Sequence, residues 1–271
     1  MASFMLAANL SMMYGEVPLE QRFAAAAADG FKAVELLWPY EFSVHRFQQL
    51  LQEHDLQLAL INTSGGDTAA GQWGRAALPD ESSKQQARAD IEQALEYAAA
   101  VGGKRVHVMA SVLPQERKAM SAAELAPYRE AFIENLVFAC KQAQNVGITI
   151  TVEALCPEIK PHYFYHSQFD SLEIVKAVQA LGCSNIKQQY DFFHAQMVDG
   201  AISKYLRQHI SDIGHIQIAA VPDRSECDHG EIDYRYCFAL LQELQYTGFI
   251  GCEYKPRGNT SAGLDFLRPY L

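Results

Sequence analysis

Eight short strand-like runs alternate with longer amphipathic stretches from end to end of this chain, and no other feature narrows its fold so far. The runs are "MLAANL" (5–10), "AVELLW" (33–38), "LALINT" (58–63), "RVHVMA" (105–110), "TITVEA" (149–154), "IKQQYD" (186–191), "GHIQIA" (214–219) and "IGCEYK" (250–255). Between them lie helix-like segments such as "SVHRFQQLLQEHD", "KQQARADIEQALEYAAAVGG" and "ELAPYREAFIENLVFACKQAQNVG". Several segments end in glycine (Gly30, Gly147, Gly182, Gly248), as helix C-termini often do. Such alternation implies a parallel sheet. Eight βα units in 271 residues, with no long linker or low-complexity tract, match the size of an α/β (β/α)₈ TIM barrel. An open doubly wound sheet is the alternative, and the lack of a GxGxxG turn after the first run weakens it. The expectation is one barrel domain over residues 1–271.

Side chains along a strand alternate between two faces. One face carries Leu6 and Ala8, Val34 and Leu36, Ala59 and Ile61, Val106 and Val108, Ile150 and Val152, Ile216 and Ile218, Ile250 and Cys252. That apolar face should meet the helices. The other carries Asn9, Glu35, Asn62, His107, Glu153, Asp191, Gln217 and Glu253. Each strand thus sets one polar residue at or near its C-terminal end, facing away from the helices. In a barrel these converge on one cup, the end where such barrels keep their active sites. The sixth run fits least well, because Gln188 and Tyr190 must then face outward.

Glu153, Asp191, Gln217 and Glu253 fall on the last four runs, and four oxygen-bearing side chains on neighbouring strands suit a hard divalent cation, Mg²⁺ or Mn²⁺. Taken singly, a buried carboxylate is as readily one half of a structural ion pair. Taken together, like charges this close require a cation or shifted pKa values. His215 shares the face of Gln217, and His194 follows Asp191 by three residues; each is a candidate ligand or hydrogen-bond partner. Glu153 and Glu253 should face each other across part of the cup. A carboxylate on each side of a small substrate suits proton transfer between adjacent carbons, each group contributing about 10²–10⁴-fold. A glycosidase also uses two carboxylates but does not usually need a four-oxygen site between them.

Other candidates are weighed against plainer readings. Arg224, in the polar loop "PDRSECDHGEIDY" (222–234), suits a substrate carboxylate or is a solvated loop arginine. Lys255 should face inward and contact substrate or ligands. His162, in "KPHYFYH", either lines the site or belongs to a surface aromatic cluster. His107 is a packed core residue or a substrate contact, and His194 is a further substrate contact. The glycine-rich "GGDTAAGQWG" (65–74) lacks GK[ST]; a lid fits it better than a phosphate loop.

The formal net charge is −10, which argues against a nucleic-acid partner. Six cysteines at irregular spacing, with no CxxC, read as reduced buried thiols. The opening "MASFMLAANLSMMYG" lacks a basic n-region, and no apolar run approaches the roughly 18 residues of a membrane span. No membrane partner is expected, and the expected compartment is the cytoplasm. The residues leave the oligomeric state open, a homo-oligomer included.

The stretches "AANLSMMYGEVPLEQRFAAAAADGF", "VEALCPEIKPHYFYHSQ", "YDFFHAQMVDG", "GHIQIAAVPDR", "GEIDY" and "GCEYKPRGNTSAGL" resemble the hydroxypyruvate isomerase family over nearly the whole chain. Within it, "NTSGGDTAAGQWG" and "KPHYFYHSQ" resemble the 2-oxo-tetronate isomerase branch. Tyr190 resembles the hydroxypyruvate branch instead, and Ser225 stands where the 2-oxo-tetronate branch is expected to carry His. The resemblance implies a xylose-isomerase-like barrel, a sugar-acid substrate and isomerisation of a 2-oxo-tetronate to a 3-oxo-tetronate. It places the family's catalytic glutamates on Glu153 and Glu253, the pair that strand parity had selected. The rivals are hydroxypyruvate isomerisation, keto-sugar epimerisation, metal-dependent endonuclease IV-like DNA repair and a catalytically silent sugar-acid binder.

Overall fold

In the computed structural model, which describes residues 4–271, eight parallel strands close a barrel in chain order. The first three residues of the N-terminal stretch considered above lie outside that range. The strands are β1 Met5–Asn9, β2 Ala33–Leu36, β3 Gln57–Asn62, β4 Arg105–His107, β5 Thr149–Glu153, β6 Ile186–Asp191, β7 Ile213–Ile218 and β8 Phe249–Cys252. One helix follows each of the first five: α1 Leu19–Ala28, α2 Val44–Glu53, α3 Glu81–Ala100, α4 Ala122–Val146 and α5 Gln168–Ala180. Two short helices, α6 Phe192–Val198 and α7 Ile202–His209, follow β6, and α8 Tyr234–Glu243 follows β7.

Local chemistry sets several of these boundaries. Ser121 and Glu124 form a reciprocal capping box at the start of α4, and Gly147 ends that helix at φ 66°. Asp191 caps α6 by accepting from the Phe193 N–H at 2.8 Å. The cap ties one carboxylate oxygen of Asp191 and leaves the other for the cup.

The expectation of eight complete βα units needs correction: two 3₁₀ turns, Ser261–Gly263 and Arg268–Tyr270, follow β8 in place of an α-helix. Pro256, Gly258, Gly263 and Pro269 break any helical run there. Phe266 and Tyr270 instead pack on Phe238, and Tyr270 also packs on Phe4. A polar latch ties this tail to the segment after β1. Glu16 accepts from the Thr260 N–H and hydroxyl and from Asn259, while Ser261 donates to Asp29.

Two register shifts refine the face reading. Val34 pairs with Leu58 but Glu35 pairs with Leu60, so β3 carries one extra residue. Ala59 was expected on the outer face; the bulge places it in a small cluster with Ala7 and Ala33, apart from the main core. The second shift lies between β6 and β7, where Gln189 pairs with His215 and Gly214 is the extra residue. Gln188 and Tyr190 do face outward. Gln188 bonds Ser171 and Tyr205, and Tyr190 stacks on Tyr205 at 5.0 Å. Both therefore find polar or aromatic partners in the helix layer. All six cysteines are free and buried.

Candidate active site

Strand parity carries through to the cup. Glu153 ends β5, Asp191 ends β6, Gln217 lies on β7 and Glu253 directly follows β8; all four are buried. Arg224 enters from the loop after β7 at φ 53°, a left-handed conformation that non-glycine residues seldom adopt. Its guanidinium is 2.8 Å from Glu253 Oε2, 3.4 Å from Asp191 Oδ2 and 3.5 Å from His194 Nε2, and it lies over the Phe193 ring. Three buried carboxylates thus share the cup with one arginine.

Burial dominates the protonation of these groups. It pushes the Glu153 carboxyl well above its ordinary value, with Glu253 and Asp191 adding repulsion. It raises Glu253 to about 8 and Asp191 to about 6, against the pull of Arg224. Burial also holds His107 at about 3, with His215 reinforcing the shift, and holds His194 low, with Arg224 adding to the effect. Both imidazoles are therefore neutral near pH 7.

The tautomer of His194 follows from its neighbour. The Cys156 backbone N–H donates to Nδ1 at 3.0 Å, so Nδ1 carries no proton. A neutral ring must then carry it on Nε2, which faces Asp191 at 3.5 Å and Glu153 at 3.9 Å. Glu153, Asp191 and His194 lie close enough together to hold a metal ion. In this tautomer, however, His194 presents a donor to the cup, which leaves carboxylate oxygens as the atoms able to hold a cation. The donor set fits a hard cation on a second observation. Glu153 Oε1 is buried without a hydrogen-bond partner among the described residues, a costly state for a carboxylate. The Gln217 oxygen accepts from Gln189 at 2.7 Å.

The weaker candidates divide. His107 lies inside the barrel with Nδ1 3.7 Å from Glu153, and neither ring nitrogen has a hydrogen-bond partner among the described residues. His162 stands outside the carboxylate cluster, half-buried beside a cavity of about 140 Å³ that Arg117, Pro157 and His166 also line. Lys255 was expected to face inward; it is exposed, because β8 has ended and its N–H bonds the Arg224 carbonyl. Tyr190 points away from the cup, and Ser225 bonds Asp223 within the β7 loop, so neither departure from the 2-oxo-tetronate branch lines the carboxylate cluster. The parity reading gave no task to Asn9 or Glu35, and it passed over Gln189, which shares the face of Asp191 two residues earlier.

The xylose isomerase-like TIM barrel family matches residues 23–270. The chain belongs to that family. It is 45% identical to the 2-oxo-tetronate isomerase of Haemophilus influenzae, over 97% of this chain and 98% of the relative. It is 33% identical to the hydroxypyruvate isomerase of Escherichia coli, with the same coverage. A crystal structure from Brucella melitensis, described as an AP endonuclease of family 2, superposes with a TM-score of 0.92 at 37% identity, covering 100% of this chain and 99% of that one. With isomerases aligned over nearly their full length, the chain is an isomerase.

Proposed function

We propose that the protein converts a 2-oxo-tetronate to the 3-oxo-tetronate, with Glu153 and Glu253 as the proton-transfer pair. One observation carries the reading: two buried carboxylates, on β5 and beside β8, in one cup with Asp191 and Arg224, each raised by burial above its ordinary pKa. The substrate is COO⁻–C(=O)–CH(OH)–CH₂OH. One glutamate takes the C3 proton, and the C3–H electron pair becomes the C2=C3 bond of an enediolate. The other glutamate delivers a proton to C2, and one proton passes from the C3 hydroxyl to the C2 oxygen. His194 Nε2–H and neutral His107 face the cup as hydrogen-bond partners for substrate oxygens. Arg224 supplies a cationic partner for the substrate carboxylate. Glu153, Asp191, Gln217 and Glu253 would hold Mg²⁺ or Mn²⁺, whose charge stabilises a developing enediolate. His162 and Lys255 lie farther out and suit contacts at the rim. A small-acid isomerase suits a cytoplasmic location.

Hydroxypyruvate is the second reading, on the observation that relatives bearing that name are also similar end to end. The net charge of −10 and a cup rich in carboxylates disfavour a nucleic-acid substrate. The test is a panel of 2-oxo-tetronates and hydroxypyruvate, run with and without chelator. Turnover of a 2-oxo-tetronate that chelation abolishes and Mg²⁺ or Mn²⁺ restores is expected. Turnover of hydroxypyruvate alone would move the assignment to the second reading, and turnover of neither would overturn both.

A further inference from the structure

Beneath the proposed catalytic pair lies a further buried carboxylate, Glu35, which the chemistry above does not use and which is bonded to Gln217 of the proposed cation site. Glu35 is 1% exposed. It accepts from Gln217 Nε2 at 2.8 Å and from Asn9 Nδ2 at 3.0 Å, both on Oε1. His215 Nε2 lies 2.7 Å from Oε2. The space for this carboxylate is carved from β8, on the far side of β1, since a Cβ at Gly251 would overlap it. From Glu35, two branches run up to the cup. Asn9 Nδ2 also reaches Glu253 Oε1 at 3.3 Å. Gln217 Oε1 accepts from Gln189 Nε2, which also donates to Glu153 Oε2 at 3.0 Å.

The direction of each amide matters. An amide offers a donor on one side and an acceptor on the other, so turning one member of a chain turns the next. At the far end, Thr151 Oγ donates to Gln189 Oε1 at 3.2 Å, but a hydroxyl serves equally as donor or acceptor and fixes nothing. Glu35 Oε1 accepts from both amides, those of Asn9 and Gln217. It forces Gln217 to present N–H downward and its oxygen to Gln189. Gln189 must then offer its N–H to Glu153. With the chain reversed, an amide oxygen would face the Glu153 carboxylate.

We propose that Glu35 is a positioning residue of the isomerisation: its Oε1, accepting from Gln217, sets the amides of Gln217 and Gln189 so that Glu153 receives an N–H on one oxygen, while the Ser11 N–H, donating to Asn9 Oδ1 at 3.0 Å, holds the Asn9 amide that serves Glu253. The other oxygen of each glutamate is then the one presented to the cup. This inference rests on the assignment of Glu153 and Glu253 as the proton-transfer pair.

The test compares Glu35→Leu, Glu35→Gln and Gln189→Met with wild type on the 2-oxo-tetronate that wild type turns over best. Melting curves with and without Mg²⁺ accompany the kinetics. Glu35→Leu removes the acceptor, and kcat should fall at least 30-fold with KM within threefold. Glu35→Gln should recover most of that loss. Its oxygen can serve Asn9 and Gln217 while its nitrogen turns to His215, whose unpartnered Nδ1 lets the ring change tautomer. Gln189→Met cuts only the Glu153 branch and should lower kcat about tenfold with KM held. If Glu35→Leu does not fold, Gln189→Met carries the decision. A Gln variant as impaired as Leu would assign Glu35 a charge role and overturn the proposal. So would unchanged kcat in Gln189→Met, or losses that track melting temperature alone. Failure of wild type on every substrate in the panel would instead strike the functional reading itself.

Discussion

Glu153→Gln removes acid–base function at this position, and assays at saturating Mg²⁺ separate that loss from the Oε1 ligand that the amide also withdraws. In the structure, Glu153 Oε2 accepts from Gln189 at 3.0 Å, and Oε1 has no partner. The introduced amide can keep its oxygen at the Oε2 position and retain that bond. Its nitrogen then occupies the Oε1 position, 3.9 Å from His194 Nε2, too far for a clash between donors. The fold loses no hydrogen bond, and the stability change should stay within about 1 kcal/mol. The loss falls on the chemistry, because an amide neither takes nor delivers a proton near neutral pH. Removing one acid–base group lowers turnover by about 10²–10⁴-fold, or roughly 2.7–5.4 kcal/mol of barrier. Steady-state kinetics should show kcat down at least 10²-fold with KM within about threefold. Product formed by wild type in D₂O should carry deuterium at C2 by NMR, as expected of a carboxylic acid that exchanges with solvent. A variant turning over within threefold of wild type would refute the reasoning, and His107 would be the next base to examine. Glu253→Gln should lose turnover comparably, with an added destabilisation of about 1 kcal/mol. There a single amide oxygen must replace two accepting oxygens, those bonded to Asn9 and Arg224.

Other expectations follow from the same geometry. Arg224→Leu should raise KM for the acid substrate at least tenfold and lower the melting temperature, since Asp191 and Glu253 lose their shared cation; an unchanged KM would exclude a carboxylate contact. The pH dependence of stability has a defined sign without added cation. The folded Glu253 carboxyl sits at about 8 against an ordinary 4.5, so above pH 4.5 the unfolded chain releases a proton that the fold retains. Stability from this group is full below about 4.5 and lost as pH rises toward 8. The depressed imidazoles of His107 and His194 act oppositely, but only below about 6.5. Melting temperature should therefore fall between about pH 6.5 and 8 and be restored by Mg²⁺; a flat profile would contradict the buried cluster. Gly74→Ala should destabilise by more than about 1 kcal/mol in urea titration, because Gly74 sits at φ 84° and an added Cβ would lie 2.5 Å from the Met109 carbonyl oxygen.

Much of the barrel was legible because strand parity and helix length are local properties. Each of the eight apolar runs seeds a strand, and Glu153, Asp191, Gln217 and Glu253 keep the face that period-two counting gives them. Counting fails where the ladder slips. Ala59 turns inward through a bulge set by pairing with β2, which a single strand's sequence does not encode. Lys255 fails for a related reason, since parity was extended past the end of β8. Helices α6 and α7 are shorter than the roughly 11–18-residue window in which helical periodicity is read. The amide system under the cup lies beyond local pattern altogether. Asn9 and Glu35 sit side by side on β1 and β2, but their bonds to Glu253 and Gln217 depend on closure of the barrel.

The missing eighth helix leaves a seam. Elsewhere around the wall, each strand is followed by a helix with its own backbone ladder. After β8, residues 256–271 rely on buried Leu264 and Leu267, on aromatic side chains, on Arg257 bonded to Glu226 and Asp228, and on the latch to Glu16 and Asp29. Opening this segment breaks no strand or α-helix ladder, so its hydrogen exchange should run well ahead of the β8 core. The seam borders the strand that delivers Glu253. Breathing at the tail is thus a route by which water, and a protease, first reach the wall behind the cup.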